Sequence, residues 1–112
     1  MTFNHLVLVG GGHSNVLLMH KWLMHPNLMP RNPITIISRD SHLVYSAKFP
    51  SVIANLIPLE ESLIDILSLA KSAKVAFIQD EVKNIEFRRN KIILENRPEI
   101  NYSDLVINCG SR

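Results

Sequence analysis

The fold of this 112-residue chain is decided near its amino terminus, by the stretch Leu6-Val7-Leu8-Val9-Gly10-Gly11-Gly12-His13-Ser14-Asn15-Val16. The apolar run from Phe3 to Val9 is too short for helical periodicity and predicts a buried strand. Three glycines end this run, and apolar residues then recur at helical spacing up to His25-Pro26. Ile34 to Ile37 is β-branched throughout and predicts a second buried strand. Together these segments predict a right-handed crossover between two parallel strands.

The rest of the chain predicts further elements of the same domain. Ser38 to Pro50 is expected to be irregular, and residues 51–56 a short helical turn. Glu60 to Ala73 predicts an amphipathic helix, and Lys74 to Gln79 a third strand. Short apolar segments separated by polar turns then predict an antiparallel meander: Glu81 to Phe87, Lys91 to Glu95 and Leu105 to Asn108.

Composition excludes several classes of protein. With 46% hydrophobic and 20% charged residues, the chain buries a core and is not intrinsically disordered. A net charge of +2 with scattered Lys and Arg argues against nucleic acid as a partner. No apolar run reaches the roughly 20 residues of a membrane span, and no cleavable leader is recognised. A single cysteine, Cys109, excludes an internal disulfide, so we expect a cytoplasmic protein that at most lies at the periphery of a membrane.

The glycine turn is the main candidate site. A strand that ends in glycine and leads into a helix directs free backbone amides into one small volume, where the helix dipole adds positive potential. We expect the amides of residues 10–14 to receive the pyrophosphate of a dinucleotide, with Gly10 allowing the turn and Gly12 the close approach. Asn15 replaces the third glycine of the fingerprint, which predicts looser or rotated helix packing. A turn that merely connects two elements is the alternative.

The end of the second strand leaves the nucleotide open. Ser38-Arg39-Asp40 lacks a carboxylate at the position that normally takes the ribose hydroxyls. Arg39 favours a 2′-phosphate and therefore NADP, whereas Asp40 reaches the ribose if the turn curls back. From these residues FAD, NAD and NADP all remain open. The meander, and a last strand that runs into a second glycine turn at Cys109-Gly110-Ser111, favour the extended FAD molecule.

The histidines do not predict a metal site. His13 and His20 lie two helical turns apart, which is too far to share one ion without a third ligand. Trp22 is expected in the core, and Arg88-Arg89 in a solvated turn between two meander strands.

Four stretches, residues 6–16, 34–42, 45–46 and 101–111, resemble the start of the pyridine nucleotide-disulfide oxidoreductases, and within them the type II NADH dehydrogenase-like flavoproteins. Residues 10–14 and 38–42 are most similar to the NADH dehydrogenase-like module that is fused in front of selenide, water dikinase. The resemblance covers essentially the whole chain. It implies an α/β, Rossmann-like FAD/NAD(P)-binding domain whose parallel sheet has an antiparallel β-meander crossover. Residues 1–112 would be the N-terminal part of that single, truncated domain.

The resemblance also implies a set of residues that contact FAD. Along the pyrophosphate and the helix start these are Gly10, Gly12, His13, Ser14 and Asn15. Around the rest of the cofactor they are Ser38 and Arg39 at the ribose, Val82 at the adenine, Tyr45 and Ser46 towards the flavin, and Cys109, Gly110 and Ser111 in the last turn. No catalytic residue is implied.

Two departures limit the expected activity. Ala47 and Ser51 stand where the resemblance predicts glycines, and the cysteine pair of the disulfide reductases is absent. The nicotinamide-binding domain is missing too, so NAD(P)H becomes a substrate only if a partner chain or fused domain supplies that half. The chain is therefore expected to be the FAD-binding portion of an NAD(P)H-dependent flavin oxidoreductase, not catalytically complete alone. The alternatives are a stand-alone NADP or adenine-nucleotide module without redox activity, and a truncated product that binds nothing.

Overall fold

The computed structural model describes residues 4–44 and 63–108. The strands in these ranges are β1 (Leu6–Val9), β2 (Ile34–Ser38), β3 (His42–Val44), β4 (Leu63–Asp65), β5 (Ala76–Gln79), β6 (Val82–Glu86), β7 (Lys91–Leu94), β8 (Ile100–Asn101) and β9 (Asp104–Ile107). The helices are α1 (His13–Met24) and α2 (Ile66–Ser72), and a 3-10 turn spans Pro26–Leu28.

The centre of the fold is a parallel sheet with the strand order β5-β2-β1-β9. Leu6 pairs with Ile34 of β2 on one side and with Asp104 of β9 on the other. The two interior strands, β1 and β2, are the two apolar runs of the sequence, as expected for parallel strands covered on both faces. The predicted strand–helix–strand unit with parallel strands and the Rossmann-like α/β fold are therefore confirmed.

One face of the sheet packs against the helices. Helix α1 ends at Met24 as predicted, because Pro26 cannot continue the helical hydrogen bonds, and the amide of His25 donates to the carbonyl of Lys21 at 2.8 Å. Trp22 is buried in this layer, as predicted. The other buried residues of the layer are Leu8, Val16, Met19, Ile34, Ile36, Ile66, Ala70, Ala73 and Val75.

The opposite face of the sheet packs against the antiparallel strands β6, β7 and β8. Val7, Val9 and Ile37 alternate with the helix-facing residues along β1 and β2, as the period of a strand requires. They meet a second set of buried side chains, Ile92, Leu94 and Tyr102. The meander thus takes the place of a helix on this side, and the sheet lies between two unlike layers.

The segment before the third parallel strand differs from its prediction. Residues 42–44, expected to be irregular, form β3, which pairs antiparallel with β4. The helix expected over 60–73 begins only at Ile66, because Asp65 caps it by accepting hydrogen bonds from the amide and the hydroxyl of Ser68 at 3.0 and 2.9 Å. Residues 51–56 and 60–62 lie outside the described ranges.

The prediction for the third strand of the meander was also wrong. It is Ile100–Asn101, whereas residues 104–107, which were expected in the meander, return to the parallel sheet beside β1. The reason is a turn at Tyr102 and Ser103, whose amides donate to the carbonyls of Asn90 (3.0 Å) and His5 (2.8 Å). Smaller shifts are that β1 begins at Leu6 and that β5 begins at Ala76, after Lys74 adopts a φ of 62°. Strands β6 and β7 are also slightly shorter than predicted.

Within the described part of the chain, no helix combines the length and the apolar character that a membrane crossing requires. The cytoplasmic location stays a prediction.

Candidate functional site

The candidate site lies where the parallel strands end. The chain builds β1, β2 and β5 in one direction across the sheet and then returns to place β9 on the other side of β1. The strand order therefore reverses between β1 and β9. In open α/β sheets such a reversal opens a crevice at the carboxyl ends of the strands, where ligands bind.

The glycine turn connects β1 to α1 at this crevice. Gly10 has a φ of 96°, a backbone conformation that strongly favours glycine. Its amide donates to the carbonyl of Ile37 at 2.7 Å, and the amide of Gly12 donates to the carbonyl of Asn108 at 3.0 Å. The expectation that every amide of residues 10–14 faces a phosphate is therefore wrong for these two, whose donors bind the neighbouring strand ends.

Other amides of the turn remain available. Among the described residues, none accepts a hydrogen bond from the amide of Gly11. Helix α1 begins at His13, and no side chain caps it; its first turn also holds no acidic residue. The amides of His13, Ser14 and Asn15 belong to the first turn, where a helix offers no acceptor of its own. A cluster of donors with the positive end of the helix dipole behind it is suited to an anion.

Close packing keeps the turn free of side chains. A Cβ built on Gly11 would lie 2.6 Å from Cδ1 of Ile66 and 2.9 Å from Oγ of Ser38. A Cβ built on Gly12 would overlap the amide oxygen of the Asn108 side chain. The turn consequently sits against β2, α2 and the end of β9.

Two asparagines, Asn15 and Asn108, hold the glycine turn in place through hydrogen bonds. Asn15 is fully buried, with 0% of its surface exposed, and its Nδ2 donates to the carbonyls of Gly10 (2.8 Å) and Val9 (3.4 Å). The carbonyl of Val9 also accepts from the amide of Asn108 at 2.8 Å. The side-chain oxygens of Asn15 and Asn108 are buried without a donor among the described residues. Of the two expected arrangements, looser or rotated helix packing, the looser one is wrong, because Asn15 makes a tight, buried contact with the turn.

The end of β2 carries the charged part of the site. The hydroxyl of Ser38 donates to the carbonyl of Asp40 at 2.6 Å and accepts from its amide, so Ser38 shapes the turn instead of presenting a free hydroxyl. The guanidinium of Arg39 lies 3.8 Å from the carboxylate of Asp40 and 3.8 Å from that of Glu81. These three side chains are largely exposed, and together they are net negative.

Asp80 joins the end of β5 to the meander. Its carboxylate accepts from the amide of Glu81 at 2.7 Å and from the amide and side chain of Asn96 at 3.1 and 3.0 Å. Burial opposes ionisation of Asp80, but these hydrogen bonds and the charge of Arg97 outweigh it, so the pKa of Asp80 lies below its ordinary value of 3.8. We call the Asp80 carboxylate and the hydrogen bonds that it accepts the Asp80 clamp. The amide of Asp80 donates to the carbonyl of Ser38 at 3.0 Å, which connects the Asp80 clamp to the candidate site.

Two further predicted residues, Val82 and Ser14, lie within the described part of the chain. Val82 is the half-buried first residue of β6, directly after the Asp80 clamp, and Ser14 is exposed on the first turn of α1. The side chain of His13 is not described. Tyr45, Ser46, Cys109, Gly110 and Ser111 lie outside the described residues.

His5 lies away from the glycine turn, at the opposite end of the parallel strands. The ring of His5 contacts Oγ1 of Thr35 at 2.8 Å and the carbonyl of Asn101 at 2.9 Å, at the amino-terminal edge of the sheet. In residues 4–44 and 63–108 no group of three His, Cys, Asp or Glu side chains comes together as a candidate metal centre.

Two residues of the site, Asn108 and Glu81, were missed by sequence reasoning, and Gly11 was covered only by the general expectation for residues 10–14. Asn108 follows the last strand directly, and that position was a usable signal, since it meets the glycine turn wherever β9 pairs with β1. Glu81 adjoins β5 in the same way. The role of the Gly11 amide had no signal, because it depends on which neighbouring amides are already paired.

The fold and the glycine turn define a Rossmann-like nucleotide-binding module, and comparisons with known proteins agree. No protein-family model matches the chain. Similar curated proteins include the sulfide-quinone reductase of Aquifex aeolicus (25% identity, 96% of this chain and 24% of the relative) and the NADH dehydrogenase-like protein YutJ of Bacillus subtilis (24%, 94% and 28%). A third is the oxidoreductase ptaL of Pestalotiopsis fici (27%, 96% and 32%). The chain spans about a quarter to a third of the length of these relatives.

Solved structures give the same result. The sulfide:quinone oxidoreductase of Aquifex aeolicus matches 93% of this chain with a TM-score of 0.69 and 25% identity, over 24% of its own length. The reduced Bacillus anthracis CoADR-RHD matches 96% of this chain with a TM-score of 0.57 over 16% of its own length, and at 15% identity this likeness shows the fold alone. The three curated relatives are named as a reductase, an NADH dehydrogenase-like protein and an oxidoreductase, which agrees with the resemblance to the pyridine nucleotide-disulfide oxidoreductases. They do not support the branch that is fused to selenide, water dikinase.

Proposed function

We propose that this chain is the FAD-binding portion of an NAD(P)H-dependent flavin oxidoreductase of the NADH dehydrogenase-like type. The observation that carries the proposal is a set of backbone amides at the strand-order reversal, from Gly11 and the first turn of α1. These amides have no acceptor among residues 4–44 and 63–108. An anion held there is stabilised by the helix dipole and needs no cationic side chain.

The residues present fit the pyrophosphate of a dinucleotide. Gly11 and Gly12 carry no side chains that could cover the amides of the turn, and the packing around them leaves no room for a Cβ. When bound, FAD would supply the acceptor for hydride from a reduced nicotinamide. The chain's own part is to bind the phosphates through Gly11, His13, Ser14 and Asn15 and to orient the adenosine half towards the end of β2.

The surroundings of Arg39 favour FAD or NAD over NADP. A 2′-phosphate requires an available cation, but Arg39 faces the carboxylates of Asp40 and Glu81, each at 3.8 Å. The net negative charge of this cluster repels a 2′-phosphate, whereas ribose hydroxyls can donate to Asp40. The stand-alone NADP-binding alternative therefore lacks support from the described residues.

The NAD(P)H-dependent reaction would also use a nicotinamide-binding half. Because the chain spans only about a quarter to a third of its curated relatives, we propose that a fused domain or a partner chain supplies the nicotinamide-binding half. The finer placement beside proteins fused to selenide, water dikinase rests on the likeness of residues 10–14 and 38–42 alone.

Calorimetric titration of the purified full chain with FAD, NAD and NADP tests the proposal. We expect FAD to bind at micromolar concentration and more tightly than NAD, and NADP to bind most weakly. Failure to retain FAD at micromolar concentration would contradict the proposal. NADP binding as tight as that of FAD would favour the adenine-nucleotide module instead.

A further inference from the structure

Asn15 occupies an unusual place in the glycine turn. It stands at the third glycine position of the fingerprint and is fully buried, with its Nδ2 2.8 Å from the carbonyl oxygen of Gly10. Its own side-chain oxygen has no donor among the described residues. A buried acceptor without a donor costs free energy, so a residue that only filled space would be better replaced by an apolar one.

The hydrogen bond from Asn15 fixes the orientation of one peptide group. The described chain contains no cis peptide bond, so the carbonyl of Gly10 and the amide of Gly11 point in opposite directions. A carbonyl held towards Asn15 therefore directs the Gly11 amide away from the helix core. Without that hydrogen bond a peptide between two glycines rotates easily, because neither residue has a Cβ to restrict it.

We propose that Asn15 is a positioning residue, which holds the Gly10–Gly11 peptide so that the Gly11 amide donates to the pyrophosphate of the bound dinucleotide. This inference rests on the proposed function, and Asn15 acts through Gly11. Its signature is selective: loss of Asn15 weakens ligands that carry a pyrophosphate and spares those that lack one. A residue that merely held α1 against β1 would affect both kinds of ligand alike.

NMR titration of the 15N-labelled full chain with ADP, and separately with adenosine, tests the inference. In the wild type we expect ADP, but not adenosine, to shift the Gly11 amide resonance. In Asn15→Ala that shift should disappear and the dissociation constant for ADP should rise about 10-fold, as for one lost hydrogen bond to a charged group, while the adenosine constant changes less than about twofold. Asn15→Gly, which restores the fingerprint residue but supplies no donor, should behave in the same way.

Each other outcome separates this inference from the proposed function. A wild-type protein that binds ADP without a shift of the Gly11 amide overturns the role of Asn15 and leaves the site in place. So does a folded Asn15 variant that keeps the shift and the affinity, or one that loses ADP and adenosine equally. A wild-type protein that binds neither ADP nor FAD overturns the proposed function itself. The titration of the wild-type protein tests the inference by itself, so it stays testable even if a variant folds poorly.

Discussion

At the scale of single residues, Gly12 lies where the glycine turn meets the end of β9. Its amide donates to the carbonyl of Asn108 at 3.0 Å, and a Cβ at this position would overlap the side-chain oxygen of Asn108 and lie 2.8 Å from its carbonyl oxygen. An alanine at position 12 must therefore push β9 away from the turn.

We expect Gly12→Ala to lower the free energy of unfolding by about 1–3 kcal/mol, as overpacking does, in a urea titration. Adding Asn108→Ala removes the overlapping side-chain oxygen, so the double variant should lose less than the sum of the two single variants. Ser72→Ala, at the exposed end of α2, is the control and should change stability by less than about 0.5 kcal/mol. Strict additivity of the two substitutions would argue against this contact.

Arg39 is the residue on which discrimination against a 2′-phosphate depends. Replacing Glu81 by Gln removes one of its two carboxylate neighbours, so the guanidinium becomes more available to a phosphate. For an exposed ion pair we expect the ratio of NADP to NAD affinity to rise about two- to fivefold, measured by calorimetry.

Glu86→Gln is the matched control for that measurement. Glu86 also faces an arginine, Arg89 at 3.6 Å, but Glu86 is the last residue of β6, at the far end of that strand from the candidate site. The affinity ratio should therefore stay at its wild-type value in this variant. An unchanged ratio in Glu81→Gln, or an equal gain for NAD and NADP, would mean that Glu81 does not restrain Arg39.

At the scale of elements, the clamp formed by Asp80 holds the meander at the carboxyl end of β5. Three hydrogen bonds reach its carboxylate from Glu81 and Asn96, and they keep its pKa below 3.8 despite burial. A group whose pKa is lower in the folded state stabilises that state above its unfolded pKa, and this contribution is lost as the pH falls through the folded pKa.

We therefore expect Asp80→Asn to be less stable than the wild type at pH 7, with the difference shrinking as the pH falls below about 4. Urea titrations at pH 7, 5, 4 and 3 measure it. Glu95→Gln, an exposed carboxylate in the same turn as Asn96, is the control and should run parallel to the wild type. A difference between Asp80→Asn and the wild type that stays constant down to pH 3 would show that the carboxylate charge plays no part.

The elements that could be predicted from the sequence are those with local signals. Helix α1 has helical periodicity and a proline just after its end, and β2 is a run of β-branched residues. Strands β3 and β4 lack such signals, because they pair with each other across a separation of about 20 residues, and Leu63 and Ile64 suit a strand as well as a helix. The prediction placed β9 in the meander where the structure has β8, again because the deciding contact is long-range. Only its pairing with β1 distinguishes β9 from a meander strand.

At the scale of the whole molecule, the candidate site is a meeting point of four strand ends. Hydrogen bonds run from Asp80 to Ser38, from Gly10 to Ile37 and from Gly12 to Asn108, and so connect β5, β2, β1 and β9 in their order across the sheet. The position of the site could be predicted from the glycines alone. Which amides stay open could not, because that depends on these long-range contacts.

The most direct measurement of the central claim is FAD binding to Ser14→Asp, compared with Ser14→Asn and the wild type. Ser14 is exposed on the first turn of α1, so an aspartate there places a negative charge beside the amides that we assign to the phosphates. The same charge interacts favourably with the helix dipole and should stabilise helix α1 by about 0.3–1 kcal/mol. We expect the Ser14→Asp protein to fold, to be at least as stable as the wild type and to bind FAD about tenfold more weakly. The affinity of Ser14→Asn for FAD should lie within about twofold of the wild-type affinity. A folded Ser14→Asp protein that binds FAD as tightly as the other two would contradict the central claim.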